Sequence, residues 1–145
     1  MKNLLMSIVL VSTILHAQPE SDSEYWLSLT QEQKITFLQG IYTGITKSLQ
    51  VLTEEATRQE KKDRFWSPPF VHENSIKRLN ELYSEKVGQD FEWMATLVNS
   101  FYANPDNYHI SIMDALQILM LHESGEISRA NELLLVKQRA QLEGR

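Results

Sequence analysis

Histidines are the residues of this chain best suited to hold a metal or move a proton, and their spacing argues against both. His16 lies in an N-terminal apolar run, while His72, His109 and His122 are far apart, and no His-x-x-x-His or His-Glu-x-x-His pattern joins any two of the four. The neighbours His72-Glu73 and His122-Glu123 cannot chelate from a regular helix, because adjacent side chains diverge by about 100°. Helical spacing sets His122 beside Ala115 and Leu119, which reads as a core-edge histidine bonded to a neighbour. Nucleophilic chemistry is no better served. There is no Gly-x-Ser-x-Gly, no Ser-x-x-Lys and no glycine-rich phosphate loop. The sequence has no cysteine, which removes thiol catalysis, Cys-ligated zinc and a disulfide framework. Carboxylates abound, but they fall on polar helix faces or at caps, and no acid–base pair of the kind glycosidic chemistry uses stands out. The expectation is a protein without catalytic residues, metal or cofactor.

Binding chemistry has three candidate places. Gly40 and Gly44 sit four apart inside one helical pattern, and each costs about 1 kcal/mol relative to alanine. Close approach of a second helix accounts for them, and a groove for a ligand or partner is the rival reading. The spacing is known from membrane helix pairs, but this helix is not membranous. Around the turn Asn104-Pro105-Asp106-Asn107, the residues Tyr102, Asn107, Tyr108 and His109 gather polar and aromatic groups at the N-terminus of a following helix, an end that favours anions. Turn chemistry explains most of them; a recognition surface is the alternative. Between residues 64 and 72, Phe65, Trp66 and Phe70 flank Pro68-Pro69 in a stiff loop. Trp66 and Phe70 there either cover a core edge or, if exposed, form an interface hot spot.

The elements that must position these residues read as helices throughout. Thr30 and Gln33 form a capping box ahead of a helix to about residue 60, with Leu38, Ile41, Ile45, Leu49, Leu52 and Ala56 on one face. Glu54–Arg58 and Glu60–Arg64 read as i,i+4 pairs near its solvated end. A second helix carries Ile76, Leu79, Leu82, Tyr83 and Val87 and stops at Gly88. A third, over 90–103, faces inward with Phe91, Met94, Leu97, Val98, Phe101 and Tyr102. Ser111 and Asp114 form a second capping box with Ile110 as staple. The helix over 112–123 is apolar almost all round and so must be central and buried. Gly125 ends it, and a last helix from about Ile127 turns basic at Lys137 and Arg139, as suits a helix C-terminus. The fold class is all-α: a single-domain bundle of about five helices, residues 30–145, around a buried central helix (112–123).

Lys2 followed by the apolar run Leu4 to Leu15, and Ala17 before Gln18-Pro19, have the form of a secretory signal peptide, residues 1–17, cleaved after Ala17. Residues 18–29 read as a linker, with Tyr25, Trp26 and Leu27 tucking the chain onto the domain. The mature chain has 128 residues and a formal charge of −6, against −5 for the whole sequence, enough for one packed core. Such an acidic balance gives no electrostatic reason to seek nucleic acid or anionic lipid. No segment after the leader is apolar enough to span a bilayer, and without cysteine the protein cannot be a lipoprotein. The compartment expected is the periplasm, or secretion.

Two segments carry a resemblance. Phe37-Leu38-x-Gly40-x-x-x-Gly44 and Phe101-Tyr102-x-x-x-x-Asn107-x-x-Ile110-x-x-x-Asp114-Ala115 resemble a family of small exported bacterial proteins without an assigned activity. More distantly, the first stretch, with Asn104-Pro105-Asp106 and the Asp114-Ala115-Leu116 helix, is similar to Tai-type immunity proteins, periplasmic helical proteins that block peptidoglycan amidase effectors of type VI secretion. That family typically carries cysteines, which this chain lacks, and no effector-binding residue transfers. The resemblance implies a helical fold, export and a non-catalytic role.

These readings converge on an exported, non-catalytic binding or interaction protein whose partner is another protein or a second copy of itself. The homodimer would pair through the Gly40–Gly44 face. The alternatives are an immunity protein against a cell-wall-degrading effector and a cell-wall-directed hydrolase using unrecognised carboxylates.

Overall fold

Each helix begins where the sequence supplies an acceptor for its first free amides. In the computed structural model, which describes residues 21–82 and 90–143, Ser21 accepts from the Glu24 amide and opens α1 (Asp22–Ser28). Thr30 and Gln33 exchange bonds as a full capping box ahead of α2 (Gln31–Lys62). Pro68-Pro69 lead directly into α3 (Phe70–Leu82), since a proline's missing N–H costs nothing before a first turn. Asp90 caps α4 (Phe91–Phe101) through the Trp93 amide. A 3₁₀ turn, Pro105–Asn107, separates it from α5 (Ile112–Glu123), whose cap is Ser111. α6 (Ile127–Glu143) follows at once. The α5–α6 corner is sharp because Gly125 takes φ 89°, where a side chain would be strained. The Glu126 amide then reaches the Leu121 carbonyl and the Gly125 amide the His122 carbonyl, a Schellman stop.

The described residues form an all-α bundle of six helices with no strand. α5 is its centre: Ile112, Ala115, Leu116, Ile118, Met120 and Leu121 are all buried. It packs on α1, α3, α4 and α6, and α2 lies against α3 and α4. α4 adds Met94, Ala95, Val98 and Phe101, α2 adds Leu38, Tyr42 and Ile45, and Trp26 of α1 is fully buried. Trp26 meets Phe37 edge-on at 6.2 Å and has Lys34 Nζ over its ring. Its indole N–H donates to Asn99 Oδ1 at 2.9 Å, and Lys34 donates to the same oxygen.

Several expectations need correcting. The segment expected as a linker, residues 18–29, holds α1 from Asp22 onward, which makes six helices where about five were expected. The cause is tertiary: Asp22 Oδ2 accepts the Ile112 amide at 3.0 Å and Ser23 Oγ donates to the Tyr108 carbonyl at 2.7 Å, so the segment is fastened to the mouth of α5. α3 starts at Phe70, so Phe70 and His72 are helical, outside any loop. Arg58 pairs with Glu55, while Glu54 accepts from Gln50, and Arg64 lies past the helix end. His122 is exposed, with Nδ1 3.6 Å from Glu123 Oε1, because its side of α5 clears the core. Lys137 does not serve the end of α6. It bonds Asp114 at 2.8 Å and ties α6 to the start of α5. The proposed signal peptide, residues 18–20 of the linker, and Tyr83, Val87 and Gly88 lie outside the described residues.

Candidate functional site

The three candidate places behave differently once folded. Gly40 and Gly44 lie on an exposed side of α2, and a Cβ built at either meets nothing within 4 Å. No described helix comes within 4 Å of such a Cβ, so close packing among the described helices is not their explanation.

The turn around residues 102–109 is structural at most of its positions. Tyr102 is buried and its hydroxyl donates to the Ile110 carbonyl at 2.8 Å. Burial, with Asp22 and Asp114 nearby, pushes this phenol far above its ordinary range, so it remains a neutral donor. Asn107 is also buried: its Nδ2 donates to the Phe101 carbonyl and its Oδ1 accepts from Gln138 Nε2, each at 2.8 Å. His109 Nε2 lies 3.0 Å from the Lys137 carbonyl, a contact that calls for the proton on that nitrogen. Tyr102 and Asn107 therefore cannot meet a partner, because both are consumed in closing the α4–α5 turn against α6. Tyr108 alone of the four has an exposed side chain.

The aromatic segment is the opposite case. α2 and α3 run beside each other as a helical arm, joined by residues 63–69. Ile45 is the last buried residue of α2 and Lys62 lies seventeen residues further, about 25 Å along the axis. α3 contributes no fully buried residue. At the apex Phe65 is 94% exposed, Phe70 79% and Val71 74%, while Trp66 is half-buried. Local bonds fix the turn: Asp63 Oδ1 accepts the Phe65 amide at 2.9 Å, and the Asp63 carbonyl accepts the Trp66 amide. His72 Nε2 reaches the Leu52 carbonyl at 3.1 Å and pins the first turn of α3 to α2 ten residues before Lys62, about 15 Å along its axis. Of the sequence candidates, Trp66 and Phe70 lie on either side of Pro68-Pro69, with Phe65 and Val71 as exposed neighbours in sequence. Gly40 and Gly44 are well down the arm, and the 102–109 turn belongs to the core. Lys61, Lys62 and Arg64, read from sequence as a solvated helix end, alternate there with Glu60 and Asp63 and enter no ion pair among the described residues. The density of aromatics beside two prolines was the available signal; their exposure was not readable.

A cleft of about 590 Å³ lies between α3, α5 and α6, bordered by Ile76, Glu81, Met120, Leu121, Glu126 and Arg129. Glu81, Glu126 and Arg129 are already matched there, while Glu73 and Lys77, which also border it, enter no ion pair among the described residues. Arg129 bonds Glu81 at 2.6 Å and also Glu126, and Gln117 donates to Glu81 at 2.8 Å. Partial burial raises the Glu81 carboxyl, but the bonds from Arg129 and Gln117 and the charges of Arg129 and Lys77 outweigh it and hold it below the usual range. That is the setting of a permanent anion in an ion pair, not of a general acid. No group of three or more His, Asp or Glu among the described residues is arranged to hold a metal ion, and no described helix is long and apolar enough to cross a membrane. No known family matches the chain, and neither a curated protein nor a solved structure does.

Proposed function

We propose that this is an exported, non-catalytic binding protein and that the tip of the α2–α3 arm is its contact surface. One observation carries the reading: Phe65 in the turn and Phe70 and Val71 in the first turn of α3 stand largely in solvent on either side of two prolines, with Asp63 fixing the turn's backbone. Large apolar side chains left this exposed so close together in sequence are a liability that proteins retain at interaction sites. Rigid aromatics lose little conformational freedom on contact, so they are efficient anchors. The leader-like residues 1–17 support work outside the cytoplasm.

Site-specific photo-crosslinking tests this. A benzophenone amino acid at position 65 or 70, in cells expressing the full chain, gives adducts that are missing with the same group at Glu132 on α6. Cell fractionation finds the protein outside the cytoplasm. Equal labelling at all three positions, or retention in the cytoplasm, removes the reading.

A further inference from the structure

The arm holds more apolar side chain than it covers. Past Ile45 no residue of α2 is fully buried, and none of α3 is: Leu49, Leu52, Ala56, Ile76 and Leu79 reach only half-burial. Phe65 and Phe70 go further, at 94% and 79% exposed. An aromatic side chain buries about 150–250 Å² when covered, so these two and Val71 offer about 400 Å² per copy. A standard interface of about 1,600 Å² in total is about 57% non-polar, or about 900 Å². Two copies of the chain would supply about 800 Å² of that from these three side chains alone. From this match and the charge balance below, and resting on the tip being the contact surface, we infer that its partner is a second copy of this chain. Two arms pair about a two-fold axis, and each copy's Phe65, Phe70 and Val71 are covered by the other's arm.

Charge favours a like partner. From Glu60 to Glu73 three acidic side chains (Glu60, Asp63, Glu73) balance three basic ones (Lys61, Lys62, Arg64), and over 54–82 the sum is again zero, six of each sign. The whole −5 of the chain therefore lies elsewhere. Two acidic molecules meet at this arm without the repulsion that their net charge imposes on other faces. The signs are also unspent: Glu60, Lys61, Lys62, Arg64 and Glu73 enter no ion pair among the described residues. An unlike partner would need both this balance of signs and apolar area of its own, whereas a second copy carries both by construction. The Gly40–Gly44 face, the other meeting place for two copies, presents glycines with no side chain to cover. The core closes without the partner, since no side-chain nitrogen or oxygen buried among the described residues is unmatched. The dimer is accordingly reversible, with a Kd of about 10 µM, and denaturation at about 1 µM chain reads the monomer.

Sedimentation equilibrium tests this on the protein purified from cells expressing the full chain. Between about 1 and about 100 µM it passes from monomer to dimer. A benzophenone amino acid at position 65 of the purified protein gives an adduct of twice the chain mass, joined to residues 46–82 of the second copy. Phe65→Ser with Phe70→Ser raises the dimer Kd at least about hundredfold. Lys61→Glu with Lys62→Glu takes residues 60–73 of each copy from zero to −4, two charges per reversal, and raises it at least about tenfold. Gly44→Leu leaves it unchanged. The apolar N-terminal run is the same in every variant, so it cannot produce these differences. A dimer that survives the serine pair, or one that Gly44→Leu dissociates, overturns the inference. A protein still monomeric at about 100 µM, whose position 65 gives an adduct to a different chain in cells, overturns the second copy and leaves the contact surface standing. A monomer with no adduct in cells removes both.

Discussion

At the α4–α5 turn a polar side chain is buried only where its bonding groups are met, whereas at the tip of the α2–α3 arm large apolar side chains face water. Asn107, Tyr102 and Ser23 all give their bonds to carbonyls of the turn or its flanks, and no side-chain nitrogen or oxygen buried among the described residues lacks a partner. Phe65 and Phe70 meet almost nothing. The first region is organised to keep water out, and its residues are worth their full stability. The second contributes little to folding and is free to act on something else.

The contrast is easiest to break at its extremes. Trp26→Ala removes the largest fully buried side chain and one of the two donors to the Asn99 oxygen; urea denaturation should show a loss of about 3–5 kcal/mol. The double change Phe65→Ser with Phe70→Ser should stay within about 0.5 kcal/mol of wild type, as for exposed positions generally. A comparable loss from both would erase the distinction. Next in size, Asn107→Ala leaves the Gln138 amide without its acceptor and the Phe101 carbonyl with only a long bond from the Asn104 amide, and should cost about 1–3 kcal/mol in the same assay. Gly40→Ala and Gly44→Ala should each raise stability by up to about 1 kcal/mol, because helix propensity improves and the added methyl meets nothing. If either costs stability, a second copy occupies that face; gel filtration of Gly44→Leu then shows the dimer dissociating.

The smallest effect concerns pH. Folding lowers the Glu81 carboxyl below its ordinary value, so its contribution is present above the ordinary carboxylate range and is lost as pH falls through the folded value. Thermal melts between about pH 5 and pH 3 should therefore fall more steeply for wild type than for Glu81→Gln. A steeper fall for the variant would show that the Arg129–Glu81 bond does not stabilise the fold.

What was legible in the residues was what neighbours in sequence decide. The Thr30/Gln33 box, the Ser111 cap and the Gly125 stop are exchanges across three to five positions, and all three are formed. The central helix was legible because α5 is apolar on almost every side. What depends on distant partners was not. Asp22 serves an amide ninety residues away and Trp26 a side chain seventy-three away, so a polar-looking stretch conceals a helix. Burial of aromatics was equally opaque. Phe37, within α2, and Phe65, in the turn just past its end, are the same residue type, but only Phe37 packs against the core. The candidate list accordingly mixed two core residues, Tyr102 and Asn107, with two that do sit at an exposed tip, Trp66 and Phe70.

The way α1 is fastened sets an order of events. Asp22 and Ser23 hold the beginning of α5 and the turn before it, across gaps of ninety and eighty-five residues. Closing a loop of that length costs on the order of 4 kcal/mol in chain entropy. The latch can shut only on a platform that α4 and α5 have already built. In hydrogen exchange the Ile112 amide should then report the last act of assembly, opening before the middle of α5 whenever the N-terminal segment lets go.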